Sequence, residues 1–150
     1  MDKIDIKIVE CLKNNARENA SVIGSKVNMS VSAVIERIKK LESNGIIQQY
    51  TVILDPKKLG LDLIVFMMVS LEHPKYTAKF SEYVKENAQI IECQYIAGDF
   101  DFLLKIISQS TQTLEELLNE IKCINGVCRT KVSVVLSTVK DERSVSVSQA

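Results

Sequence analysis

Apolar residues follow two different rhythms along this chain, and the change falls near residue 60. In the first part they recur at helical spacing. Ile4, Ile8 and Leu12 come every four residues with Val9 beside them, predicting a helix over 2–14 with Asp2 as its N-cap. Ala20, Ile23, Gly24 and Val27 match the i, i+3, i+4, i+7 pattern, and Val34, Ile38 and Leu41 form a second stripe after the short turn Asn28-Met29-Ser30. Asn28 tolerates the left-handed conformation that closes a helix, Ser30 and Asn19 can cap the helices that follow them, and Asn44-Gly45 supplies a C-terminal stop. Residues 48–54, QQYTVIL, are rich in strand formers. The turn-rich segment 55–60, DPKKLG, marks a linker.

From residue 63 strand and helix signals alternate. Strands are predicted over 63–71, 90–97, 100–107 and 130–139, and helices over 76–87 and 111–122. The order βαββαβ is the ferredoxin-like split βαβ arrangement. The expected division is therefore a helical domain at 1–54, the linker at 55–60, a ferredoxin-like domain at 61–140 and a tail at 141–150, in the α+β class.

The pair of helices over 19–47 is a helix-turn-helix and points to DNA. Gly24 costs about 1 kcal/mol against Ala in a helix interior, so its presence predicts that the next helix crosses close to it. Projected at about 100° per residue from Val34, the outer face of the second helix carries Ser32, Glu36, Lys39, Lys40 and Ser43, with Arg37 at the margin. Small hydroxyls and cations on one face suit a major groove, with N-terminal residues at base edges and cations at phosphate. The candidate DNA-contacting set is Ser30, Ser32, Ala33, Glu36, Arg37, Lys39 and Lys40. An ordinary helical hairpin is the bland alternative, and the short turn together with Gly24 favours DNA.

Charge sharpens this picture. The formal net charge is zero, yet residues 1–60 carry ten Lys/Arg against seven Asp/Glu, and 61–150 carry nine against twelve. The basic excess lies with the helix-turn-helix and is modest, so useful affinity for DNA calls for two or more copies. The acidic opening MDKIDIK lacks the apolar core of a targeting segment, and 63–69 is too short to span a bilayer. Four cysteines without a C-x-x-C pair, and one histidine, His73, disfavour a zinc site and fit reduced thiols in a cytoplasmic protein. No cofactor is expected.

Both faces of the predicted sheet want burial. Residues 63–69 are apolar on both sides, Leu103 and Ile107 alternate with Phe102, Leu104 and Ile106, and Val135 and Val139 alternate with Val132, Val134 and Leu136. Two helices cover one face only, so a second copy packed sheet against sheet is expected, which also pairs two helix-turn-helix units.

The motifs Asp2-x-x-Asp5-x-Lys7-Ile8, Arg17, Met29-Ser30, Arg37-Ile38-Lys39-Lys40-Leu41-Glu42-x-x-Gly45-Ile46-Ile47, Tyr50-Thr51, Asp55-Pro56-x-x-Leu59-Gly60 and Gly98-Asp99-Phe100-Asp101-Phe102-Leu103-Leu104 stand in fixed order. In these the chain resembles the Lrp/AsnC family of leucine- and asparagine-responsive, or feast/famine, regulators over nearly its whole length. The resemblance implies an N-terminal winged helix-turn-helix domain and a ferredoxin-like domain that dimerises, often assembles into octamers, and binds amino acids or similar small molecules. Phe102 stands where the family often has Tyr, Glu36 where a basic residue is common, and Val132 where Thr is frequent.

The Gly98-Asp99-Phe100-Asp101 turn is the one constellation suited to a small molecule. Two carboxylates can accept from an ammonium, and the bare backbone at Gly98 lets a carboxylate approach main-chain N–H groups. A tight turn with a solvated Asp101 is the simpler alternative. The expected effector set is Ala97, Gly98, Asp99, Asp101, Val132 and Val134, shared between subunits. Three functions compete: an effector-sensing DNA-binding regulator, an effector-blind architectural DNA binder, and a haem-pathway decarboxylase of the same fold. The last needs histidines and arginines around a tetrapyrrole, and His73 stands alone in a Glu-His-Pro turn.

Overall fold

The computed structural model describes residues 1–147; the end of the expected tail, 148–150, lies outside them. The chain divides into two compact units, residues 1–53 with the segment from 140 onward, and residues 54–139.

The first unit holds three helices, α1 (Lys3–Asn14), α2 (Ala20–Val27) and α3 (Val31–Ser43). Asp2 starts α1 with a capping box: its side chain accepts the N–H groups of Ile4 and Asp5, and the Asp5 carboxylate accepts the N–H of Asp2. Ile8, Ile23, Val27, Val34 and Leu41 close into one buried cluster, with Ile4, Leu12, Ala20, Met29 and Ile38 packed around it. The apolar stripes predicted from spacing meet here. Asn19 occupies the N-cap of α2 in extended backbone, but its side chain makes no capping bond.

Residues 48–54 form no strand, contrary to the expectation from their composition. A strand exists only where its main-chain groups find a partner strand. Among the described residues none pairs with this segment, and Val52 and Leu54 stay 79% and 63% exposed.

The second unit contains β1 (Leu63–Leu71), α4 (Thr77–Glu86), β2 (Ile90–Tyr95), β3 (Phe102–Ser108), α5 (Thr111–Cys123) and β4 (Val127–Val134). The strands form one antiparallel sheet in the order β2-β3-β1-β4. Val65, Met67 and Val69 of β1 and Phe102, Leu104 and Ile106 of β3 share a face with α4 and α5, where they bury against Phe80, Val84, Leu114, Leu117 and Ile121. Serine caps α5: Ser110 accepts the Thr113 N–H, and Thr113 returns the bond.

The last strand is shifted from its expected span of 130–139. Its register against β1 runs from Val127 opposite Leu71 to Val134 opposite Val65, so its ends follow the length of β1 rather than its own composition. Leu136 and Val139 lie past the ladder and are nearly fully exposed.

The register also sorts the other sheet face. Ile64, Phe66 and Met68 of β1 stand beside Ile107, Lys105 and Leu103 of β3. On the flanking strands the same face carries Arg129, Lys131 and Ser133 of β4 and Glu92 and Gln94 of β2. It is thus an apolar stripe along two central strands with a polar rim. Lys105 interrupts the stripe and pairs with Glu92 at 3.1 Å.

Candidate DNA-binding and effector sites

Three local features set the turn between α2 and α3. Asn28 adopts φ 55°, the left-handed conformation expected of it. Ser30 accepts the Ala33 N–H at 3.3 Å and so caps α3, while its hydroxyl lies 3.1 Å from that of Ser32. A Cβ on Gly24 would come within 2.6 Å of the Met29 carbonyl oxygen, whereas Val34 of α3 sits at an ordinary 3.7 Å. Glycine is therefore required by the turn's backbone rather than by the crossing helix.

On α3, Ser32, Glu36, Lys39 and Lys40 are exposed, Ala33 is half-buried, and Ser30 is exposed just ahead of the first turn. Glu36 forms no ion pair with Lys40 among the described residues. Arg37 is otherwise engaged than its place in the candidate set implied: its Nη1 donates to Asp2 Oδ2 and Asp5 Oδ1, each at 2.6 Å. For Asp2, the Asp5 N–H bond and then the Arg37 guanidinium hold the carboxyl below its usual range. For Asp5, burial pushes upward, but the Asp2 N–H and Arg37 outweigh it and the net shift is downward. The two carboxylates, Asp2 first, raise Arg37 in return.

Sequence spacing missed two side chains on this surface. Val31 and Ile35 are 46% and 41% exposed, lying about 60° and 100° from Val34 on the helical wheel. They extend beyond the edge of the buried stripe, a displacement visible once the wheel is drawn.

The segment 96–101 joins β2 to β3 and is tied down from several sides. Ile96 N–H donates to the Asp101 carbonyl at 2.8 Å, and Asp101 N–H to the Val69 carbonyl at 3.0 Å. The Asp101 carboxylate accepts the Leu71 N–H at 2.7 Å. Ser70 Oγ donates to the Asp99 carbonyl at 3.2 Å, the Arg129 guanidinium donates to the same oxygen, and Arg129 also stacks 4.3 Å over the Phe100 ring. Gly98 adopts φ +150° with open space where a Cβ would stand, and Ala97 and Asp99 beside it are exposed. One Asp101 oxygen is thus committed to the fold, whereas the Asp99 carboxylate has no hydrogen-bond partner among the described residues.

Val132 and Val134 do not approach this turn within one protomer. They stand opposite Met67 and Val65 on the helix-covered side of the sheet, while the turn is anchored at Ser70, Leu71 and Arg129 near the other end of the ladder. Strand pairing, invisible in the isolated segment, separates them. Arg129 and Ser70 are the neighbours of the turn that spacing did not reveal.

Residues 1–42 match the AsnC-type helix-turn-helix domain, and residues 64–145 match the Lrp/AsnC ligand binding domain. The chain belongs to the Lrp/AsnC family. It is similar to the HTH-type transcriptional regulator FL11 of Pyrococcus horikoshii, with 33% identity over 94% of this chain and 93% of that protein. The leucine-responsive regulatory protein of Klebsiella pneumoniae is also 33% identical, over 93% of this chain and 87% of its own. A solved transcriptional regulator of Neisseria meningitidis, in complex with L-methionine, superposes with a TM-score of 0.92 at 28% identity, covering 97% of this chain and 96% of that one. This Lrp/AsnC chain is a helix-turn-helix transcription regulator and not an enzyme, which removes the decarboxylase alternative.

Proposed function

We propose that this regulator binds double-stranded DNA as a homodimer and that an amino acid-like effector tunes its DNA affinity or assembly. The observation that carries the proposal is the free face of α3, where Ser32, Glu36, Lys39 and Lys40 stand exposed behind the Ser30 cap in an AsnC-type helix-turn-helix. Ser30, Ser32 and Ala33 lie at base edges, Lys39 and Lys40 meet phosphate, and Glu36 accepts from cytosine N4. Two such helices in successive major grooves favour imperfect palindromes with half-sites about one helical turn apart, or a multiple of it.

The second copy packs on the free sheet face. A stripe of Ile64, Phe66, Met68, Leu103 and Ile107 inside a rim of Arg129, Lys131, Glu92 and Gln94 has the apolar centre and polar margin of a protein interface. Assembly of four dimers into an octamer follows from the family resemblance, and the four free cysteines fit a cytoplasmic location.

For the effector, the Asp99 carboxylate receives the ammonium, and main-chain N–H groups around Gly98 receive the carboxylate. Ala97 lines the approach, and Asp101 holds the turn in shape. The ligand-binding family match and the L-methionine complex of the Neisseria relative support this assignment. Val132 and Val134, across the sheet, join such a pocket only where a second copy supplies them.

Fluorescence anisotropy with the protein's own promoter DNA over a salt series tests the proposal. Binding that weakens with salt is expected, with a slope flattened by about one unit in Lys40→Ala. Adding amino acids one at a time shifts affinity several-fold to about a hundredfold, the range of a typical coupling free energy. No binding to promoter DNA refutes the proposal; binding indifferent to every amino acid identifies an effector-blind architectural protein.

A further inference from the structure

The cluster of Arg37, Asp2 and Asp5 distributes its oxygens in an ordered way. Asp2 Oδ1 accepts the N–H groups of Ile4 and Asp5 at 2.8 Å, and Asp2 Oδ2 accepts Arg37. Asp5 Oδ2 accepts the Asp2 N–H at 2.9 Å, and Asp5 Oδ1 accepts Arg37. Each acid thus spends one oxygen on the cap of α1 and the other on α3. The carboxylates are pre-oriented before Arg37 arrives, so the pairing loses little side-chain freedom on the acid side.

This geometry has two consequences for α3. Arg37 cannot serve a phosphate without leaving two carboxylates that already outnumber its charge. Moreover, the contacts that hold α3 in the first core, from Val34 and Leu41, are apolar and non-directional. Two charge-assisted hydrogen bonds to a capped helix are directional. They restrain rotation of α3 about its own axis, and that rotation aims Ser32, Glu36 and Lys39.

Resting on the DNA-binding function proposed above, we infer that Arg37 is a positioning residue: clamped to Asp2 and Asp5, it sets the pose of α3 and thereby base discrimination, without touching DNA. The start of α1 is then part of the DNA-reading apparatus. The inference separates from a simple charge account by sign. Removing an acid from a DNA-binding unit strengthens binding if net charge alone matters. Removing Asp5 weakens specific binding if the clamp positions α3.

The test uses the full chain, a duplex selected by it from a randomised pool, and a scrambled duplex of equal length. Asp5→Asn keeps an oxygen for the cap, Arg37→Met keeps the stem, and Arg37→Lys keeps the charge. Affinities for both duplexes are measured over a salt series, with circular dichroism confirming the fold. The expected result is a fall of about five- to tenfold in the ratio of selected to scrambled affinity in Asp5→Asn and Arg37→Met, comparable to a fraction of one base-pair mismatch up to a whole one. The salt slopes should match wild type, the double variant should be no worse than Arg37→Met, and Arg37→Lys should recover part of the loss. If Arg37→Met does not fold, Asp5→Asn alone decides by its sign. Tighter binding of the selected duplex by Asp5→Asn, a slope lowered by about one in Arg37→Met, or an unchanged ratio in both overturns the inference. A wild-type chain that selects no duplex instead refutes DNA reading itself, and the clamp's role with it.

Discussion

The carboxylate of Asp101 accepts the main-chain N–H of Leu71 across 30 residues of sequence, at 2.7 Å. The bond fastens the Gly98 turn to the end of β1, beside the β-bulge between Ser70 and Leu71. Asp101→Ala leaves a partly buried N–H unpaired, which should cost about 1–3 kcal/mol. A urea midpoint lowered accordingly is expected, with a smaller loss in Asp101→Asn, which keeps an acceptor. Equal stability of Asp101→Ala and wild type would show that water replaces the carboxylate freely.

Asp99 separates shape from recognition at the same turn. Its carbonyl is held by Ser70 and Arg129, while its carboxylate is free among the described residues. Asp99→Asn should keep the urea midpoint within about 0.5 kcal/mol, as surface substitutions do, and abolish the response of DNA affinity to amino acids. A response of wild-type size in Asp99→Asn would place the ammonium elsewhere.

Gly24→Ala sets helix propensity against a clash. Alanine gains about 1 kcal/mol in a helix interior, but its Cβ would meet the Met29 carbonyl at 2.6 Å. The obstacle is backbone, so the turn must open, and a net loss of about 1–3 kcal/mol is expected. Thermal melts of the two proteins check the sign; a higher melting temperature in the variant would mean that the turn yields without cost.

The free sheet face predicts the state of association. Phe66→Glu puts a charge in the middle of the apolar stripe and should abolish the specific dimer, leaving an uncovered apolar face that aggregates. Sedimentation of the unmutated chain at micromolar concentration should give a dimer or larger. A soluble wild-type monomer would contradict the proposed interface.

The clamp at α1 also predicts a pH dependence. Asp2 and Asp5 are held below the ordinary aspartate range, so the folded state binds their protons less readily than the unfolded chain does. Their contribution is fully present above the unfolded value of about 4 and is lost as pH falls through the lower folded values. Stability measured by denaturant should be flat in this respect near neutrality and decline below about pH 4. Arg37→Met, by removing the cation, should shrink that decline, and an identical acid limb in the two proteins would argue against the pairing in solution.

Much of the fold was legible because its signals are local. Stripes such as Val34, Ile38 and Leu41 report the side of a helix that meets the core, and caps such as Asp2 and Ser30 satisfy N–H groups within three residues. The order of strands and helices after residue 63 follows from the same short-range periodicity. The exposed set on α3 was visible as the complement of its buried stripe, and the Gly98 turn as a run of acids around a glycine.

What remained needed partners distant in the chain. By itself the sequence determined the five helices, the order of strands and helices after residue 63, and which residues could meet DNA. Only tertiary structure decided that Arg37 belongs to Asp2 and Asp5, that Val132 and Val134 lie on the helix-covered side of the sheet, and that Asp101 holds Leu71. It also decided that 48–54, despite its strand-forming residues, has no strand to pair with among the described residues. The physical reason is common to all four. A side chain's face and a carboxylate's partner depend on strand register and helix packing, and those are set by residues dozens of positions away whose identity no local pattern encodes.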